Sequence, residues 1–78
     1  MENLLDRITI NPEICNGKPI IRGMRITVKT VLEYLAAGES SDNILKAHPL
    51  LEAKDILACL QFASLAVDQQ NNSYKLSA

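Results

Sequence analysis

The sequence predicts a mainly α fold: a three-helix helix-turn-helix bundle preceded by a short β-hairpin or β-arm. Three observations carry this expectation. From Val28 onward, apolar residues recur at helical spacing, interrupted at Gly38-Glu39-Ser40 and again at Pro49. Before Val28, helix formers are scarce, and short β-prone runs alternate with Asn, Pro and Gly. Two short helices followed by a longer one is the layout of a helix-turn-helix domain.

The elements follow in order. Residues 1–6 read as an N-terminal extension, residues 7–67 as one domain, and residues 68–78, rich in Gln, Asn and Ser, as a polar, disordered tail. Asp6-Arg7-Ile8-Thr9-Ile10 alternates polar and apolar residues like a half-buried strand, and Asn11-Pro12 ends it. Asn16-Gly17 suits a turn with positive φ, and Pro19 to Arg22 reads as a second strand. Gly23 marks a turn or bulge. Thr27 is the expected cap of a first helix, whose apolar face is Val28, Val31, Leu32, Leu35 and Ala36. Gly38 stands where a left-handed residue ends it. Ser40 or Ser41 caps a second, short helix that Pro49 stops near His48.

The third helix is expected from about Glu52 to Val67. Between Ile56 and Val67 only Gln61 and Ser64 are polar, so it is apolar nearly all round and calls for cover on several sides. Two short helices and a hairpin are too little cover. A second copy of the chain is therefore expected to dock, through Ile56, Leu57, Leu60, Phe62 and Leu65. Composition points the same way. A single domain of 78 residues with 47% apolar but only 4% aromatic residues has an aliphatic core of modest strength, which association would reinforce.

Charge is distributed unevenly. Residues 14–32 hold Lys18, Arg22, Arg25 and Lys29 and no acid, a formal +4 within a chain of net charge −1. These four are the candidate phosphate contacts for DNA, for example on a β-ribbon built from two copies. Their alternative is to be solvated charges beside a strand pair, with Arg25 bonding to loop carbonyls. The third helix is a poor base reader, since Glu52, Lys54 and Asp55 are its only charges before the tail.

Catalytic and metal chemistry find no constellation. His48 is the only histidine, and it reads as a capping residue at a helix end. With two cysteines 44 residues apart it makes no zinc-binding cluster, and no cofactor is expected. Gly17-Lys18 is followed by Pro19, which has no N–H to offer a phosphate. Glu33, Glu39, Asp42, Glu52 and Asp55 read as acids on solvated helix faces. Cys59 reads as a small core residue and Cys15 as a loop thiol without a role. Few cysteines, no signal-like opening and apolar runs of only a few residues predict a cytoplasmic protein with reduced thiols and no membrane span. No small-molecule substrate is expected.

One further pattern spans nearly the whole ordered chain. Gly17-Lys18-Pro19-x-Ile21-x-Gly23-x-Arg25-Ile26-x-Val28 is followed by a helix ending Ala36-Ala37-Gly38, then Ile44-Leu45, Pro49 and Asp55-Ile56. Over residues 7–67 this resembles a small prokaryotic domain-of-unknown-function family, some of whose members are assigned as VapB-type antitoxins. Met24 stands where that family usually has Thr, Thr27 where it has Pro, and Glu52 where it has Thr. The resemblance implies a homeodomain-like fold. For an antitoxin it further implies a homodimer that binds a PIN-like ribonuclease toxin and represses its own operator DNA. A dimeric adaptor that never meets DNA is the alternative.

Overall fold

The computed structural model describes residues 3–70. The expected disorder of residues 71–78 lies outside them. The order of elements is a 3₁₀ turn at Leu4–Arg7, strand β1 at Ile8–Thr9, a second 3₁₀ turn at Cys15–Gly17, strand β2 at Ile20–Ile21, and helices α1 at Val28–Ala36, α2 at Ser41–Ala47 and α3 at Ala53–Gln70. The protein is thus mainly helical, with a two-stranded antiparallel sheet at the N-terminal end.

The sheet is shorter than alternation predicts. Ile8 pairs with Ile21 and Thr9 with Ile20, and nothing beyond these joins the ladder as a strand. Asp6 and Arg7 complete the 3₁₀ turn instead, because Asn3 caps it through its side chain (Leu5 N–H to Oδ1, 3.0 Å) and Arg7 is drawn towards α3. Leu4 and Leu5 are half-buried in this turn, so part of the presumed extension belongs to the folded unit. At the other end, Arg22 (φ 46°) and Gly23 (φ 74°) are both left-handed, and the Met24 N–H bonds to the Ile21 carbonyl at 2.8 Å. Positive φ at both central positions is the type I′ signature, which reverses the chain without splaying it. Ile20 then bridges to Thr27, which delivers the chain to α1.

The first two helices are bounded as their local signals require. Thr27 Oγ1 accepts from the Thr30 N–H at 3.1 Å, and Ser40 Oγ accepts from the Asn43 N–H at 3.2 Å, each satisfying an orphan donor of its helix. Gly38, at φ 94°, closes α1: its N–H reaches the Leu35 carbonyl and that of Glu39 reaches the Tyr34 carbonyl, both at 3.0 Å, a Schellman pair. Thr27→Ala should lower stability by about 1 kcal/mol. Urea unfolding checks this, and no shift in midpoint would count against the cap. α3 runs on to Gln70, past the boundary that polarity sets at Val67, so residues 68–70 are helix rather than tail.

The core is aliphatic, as composition requires. Ile21, Val28, Val31, Ile44, Leu51, Ile56 and Cys59 are buried together, with Ile8, Met24, Ile26, Leu32, Leu35, Leu45 and Phe62 packed around them. α2 contributes a single buried side chain, Ile44.

Candidate interaction surface

The basic stretch does not present its four charges alike. Arg22 is the clearest departure from a phosphate contact. Its Nε donates to Asp55 Oδ1 (3.1 Å), and its Nη2 donates to Asp55 Oδ2 (2.9 Å) and to the Leu50 carbonyl (2.8 Å). Arg7 reaches the same carboxylate, Nη1 to Oδ1 at 2.9 Å, and also Glu52 Oε1 at 2.7 Å. The loop-carbonyl bond expected of Arg25 is made by Arg22. Lys18, Arg25 and Lys29 are exposed.

Asp55 is the residue sequence reasoning misplaced. It was expected on a solvated face, yet it has no exposure at all. Besides the two arginines it accepts the Glu52 N–H at 2.8 Å, which makes it the third-position partner of a capping box at the start of α3. Burial alone would raise its carboxyl. The hydrogen bonds from Arg22, the Glu52 amide and Arg7 outweigh burial and hold it below the ordinary 3.8. An acid three residues after a helix cap was the available signal, but nothing local names its cationic partners. Glu52 keeps its expected exposure.

On α3 the expected docking residues separate in the same way. Ile56 is 2% exposed and belongs to the protomer's own core, so it is not available to a second copy. Leu57 (52%), Leu60 (46%) and Leu65 (42%) are exposed, as is Val67 (71%), which the docking set had omitted. Phe62 is half-buried between two depressions. An open groove of about 560 Å³ runs between α1 and α3, over Leu32, Ala36, Phe62, Ala63 and Ala66, with Lys18 and Lys29 among its lining residues. A cleft of about 250 Å³ lies on the other flank, between Leu5, Ile8 and Ile10 on one side and Phe62, Leu65 and Ala66 on the other.

Packing surrounds the remaining reactive side chains, and the buried Nε2 of His48 has no hydrogen-bond partner among the described residues. Cys59 is fully buried and its thiol is pushed up to about 11, first by desolvation and then by the Asp55 charge, so it stays protonated and unreactive near neutrality. Cys15 is half-buried, with its Sγ 3.7 Å from the Arg25 carbonyl. The His48 ring does not bind the last carbonyls of α2. It lies 5.7 Å from the Tyr34 ring, centroid to centroid, and the residue closes the helix through its backbone N–H to Ile44. Among the described residues no three His, Cys, Asp or Glu side chains gather as metal ligands would, and no helix is long and apolar enough to cross a membrane.

The fold has a solved counterpart. A crystal structure of a DUF433 member protein from Anabaena variabilis ATCC 29413 superposes with a TM-score of 0.75 at 32% identity, over 81% of this chain and 62% of that one. The uncharacterized protein y4eO of Sinorhizobium fredii (strain NBRC 101917 / NGR234) is 41% identical over 49 residues, which are 63% of this chain and 22% of that protein. The chain therefore spans about a fifth of the length of this curated relative and under two thirds of the solved one. The family described as "Protein of unknown function (DUF433)" matches residues 8–63, more than half of the 78, and with the hairpin, α1, α2, the first part of α3 and the Gly17–Val28 run inside that match, the chain belongs to the DUF433 family.

Proposed function

We propose that this chain is a non-catalytic binding module of the antitoxin type, which captures a PIN-like ribonuclease by direct protein contact. The observation that carries this reading is the apolar flank of α3 facing the N-terminal segment. There Ile10 (63% exposed) and Leu65 (42%) stand at the rim of the cleft over Phe62. Large apolar side chains gathered at a concave rim are the usual anchors of a protein contact. The succession α1, α2, α3, with five residues between Ala47 and Ala53, supports reading the helices as a homeodomain-like helix-turn-helix unit.

Operator binding is the subsidiary role, and Lys18, Arg25 and Lys29 are its candidate contacts, because Arg22 is committed to Asp55. Removing a phosphate contact lowers the salt slope of binding by about one. Arg25→Ala should do so, and a slope equal to wild type would remove Arg25 from the interface.

A tagged pull-down from the native host tests the main reading. The expected eluate contains a small nuclease in stoichiometric amount, whose RNA cleavage stops when the purified chain is added. Leu65→Glu should weaken that complex by about tenfold or more. A clean eluate, or a nuclease whose activity is indifferent to the chain, would leave the dimeric adaptor as the better account.

A further inference from the structure

The apolar stripe that α3 buries continues past the point where its cover stops. Ile56 and Cys59 face the core, and Phe62, Ala63 and Ala66 carry the same face onward by steps of three and four, yet these three are only half-buried. Beside them the α1–α3 groove stands open. Its α3 wall rises into a ridge formed by Leu60, Ala63 and Val67 at i, i+3 and i+7, with Leu60 46% and Val67 71% exposed. Groove and ridge thus lie next to each other on one surface.

We propose that a second copy of this chain occupies the groove, in a two-fold dimer where the α3 ridge of each protomer seats in the α1–α3 groove of the other. Adjacent ridge and groove are the self-complementary geometry an isologous contact needs, since one half-turn rotation brings each over the other. Ala63 and Ala66 leave room for two α3 helices to approach to roughly 8 Å between axes. The charges agree with the same occupant. Asp68 follows Val67 at the end of the ridge and, among the side chains described on α3, is the one exposed acid. The groove lining carries Lys18 and Lys29 against a single acid, Glu33. Seated in the partner's groove, Asp68 meets that cationic rim. The dimer uses the α1 flank of α3 and leaves the Ile10–Leu65 flank to a different protein.

Light scattering and sedimentation equilibrium of the full chain, from about 1 to about 200 µM, read this directly, because a dimer's population follows protomer concentration. Wild type should be dimeric in that range. Ala66→Glu should be monomeric with unchanged helical circular dichroism, which separates lost docking from lost folding. Lys29→Glu and Asp68→Lys should each raise the dimer Kd by about tenfold or more, and the double variant should recover most of that loss, because the swap restores opposite charges across the interface. A wild type that stays monomeric throughout overturns the proposal and returns the groove to a foreign helix, with nuclease capture through Leu65 unaffected. A dimer indifferent to Ala66→Glu, or a double variant no tighter than the single ones, overturns it equally.

Discussion

Asp55→Asn should cost about 3 kcal/mol or more of folding stability, because it removes the fully buried carboxylate that ties both Arg22 and Arg7 to the start of α3. The carboxylate takes two hydrogen bonds from Arg22 and one from Arg7, both at Oδ1 or Oδ2 within 3.1 Å, and a fourth from the Glu52 amide. An Asn side chain has one acceptor oxygen and presents an NH₂ to a guanidinium. Three segments come together here: the N-terminal 3₁₀ turn, the hairpin turn and the start of α3. Their joint loss makes the effect larger than that of a cap. The pH dependence has a defined sign. The carboxyl is held below its ordinary 3.8, so its contribution is complete above the unfolded value near 4 and disappears as pH falls through the lower folded value. Wild type should lose stability steeply below pH 4, while the Asn variant shows a flatter acid limb. Urea unfolding at pH 7 and pH 3 measures both. A cost under about 1 kcal/mol at pH 7 would mean that the arginines rest on solvent rather than on this carboxylate.

Ile44→Ala should cost about 3 kcal/mol and release α2 before the rest of the fold. Truncating a buried isoleucine removes its transfer free energy and leaves a cavity, in total about 2–5 kcal/mol. The cost is concentrated because α2 has seven residues and Ile44 is its one buried side chain. A helix this short is not stable by itself in water and depends on its tertiary contacts, chiefly Ile44 with Leu45 packed beside the core. Amide exchange should therefore show α2 opening with a lower free energy than α1 or the first half of α3 in the variant. Uniform loss of protection across all three helices would instead mean that α2 and the remaining core open as one unit. Loss of only a few tenths of a kcal/mol would mean that Leu45 and Leu51 close over the gap.

The boundaries of α1 and α2 were legible because each is decided within a few residues. Thr27 and Ser40 cap through hydroxyls three positions away, Gly38 accepts a left-handed backbone without strain, and Pro49 prevents α2 from continuing. That Ile8–Thr9 and Ile20–Ile21 are short β segments was legible for the same reason, while their pairing with each other, rather than with a second copy, came only with the fold. The extent of the first strand was not, because Arg7 answers to a carboxylate 48 residues away.

The sequence by itself determined a small aliphatic, mainly helical domain with a hairpin in front, and where each helix begins. Tertiary structure alone decided which of its charges are tied to a buried carboxylate and which are not. Arg22 and Arg25 are both basic residues of one short loop, but only Arg22 comes within reach of Asp55, and that pairing depends on folding together residues 33 positions apart. It also decided the faces of α3. A helix apolar nearly all round has no preferred side, so Ile56 inside and Leu57 outside could be told apart only once α1, α2 and the N-terminal turn had taken their positions against it.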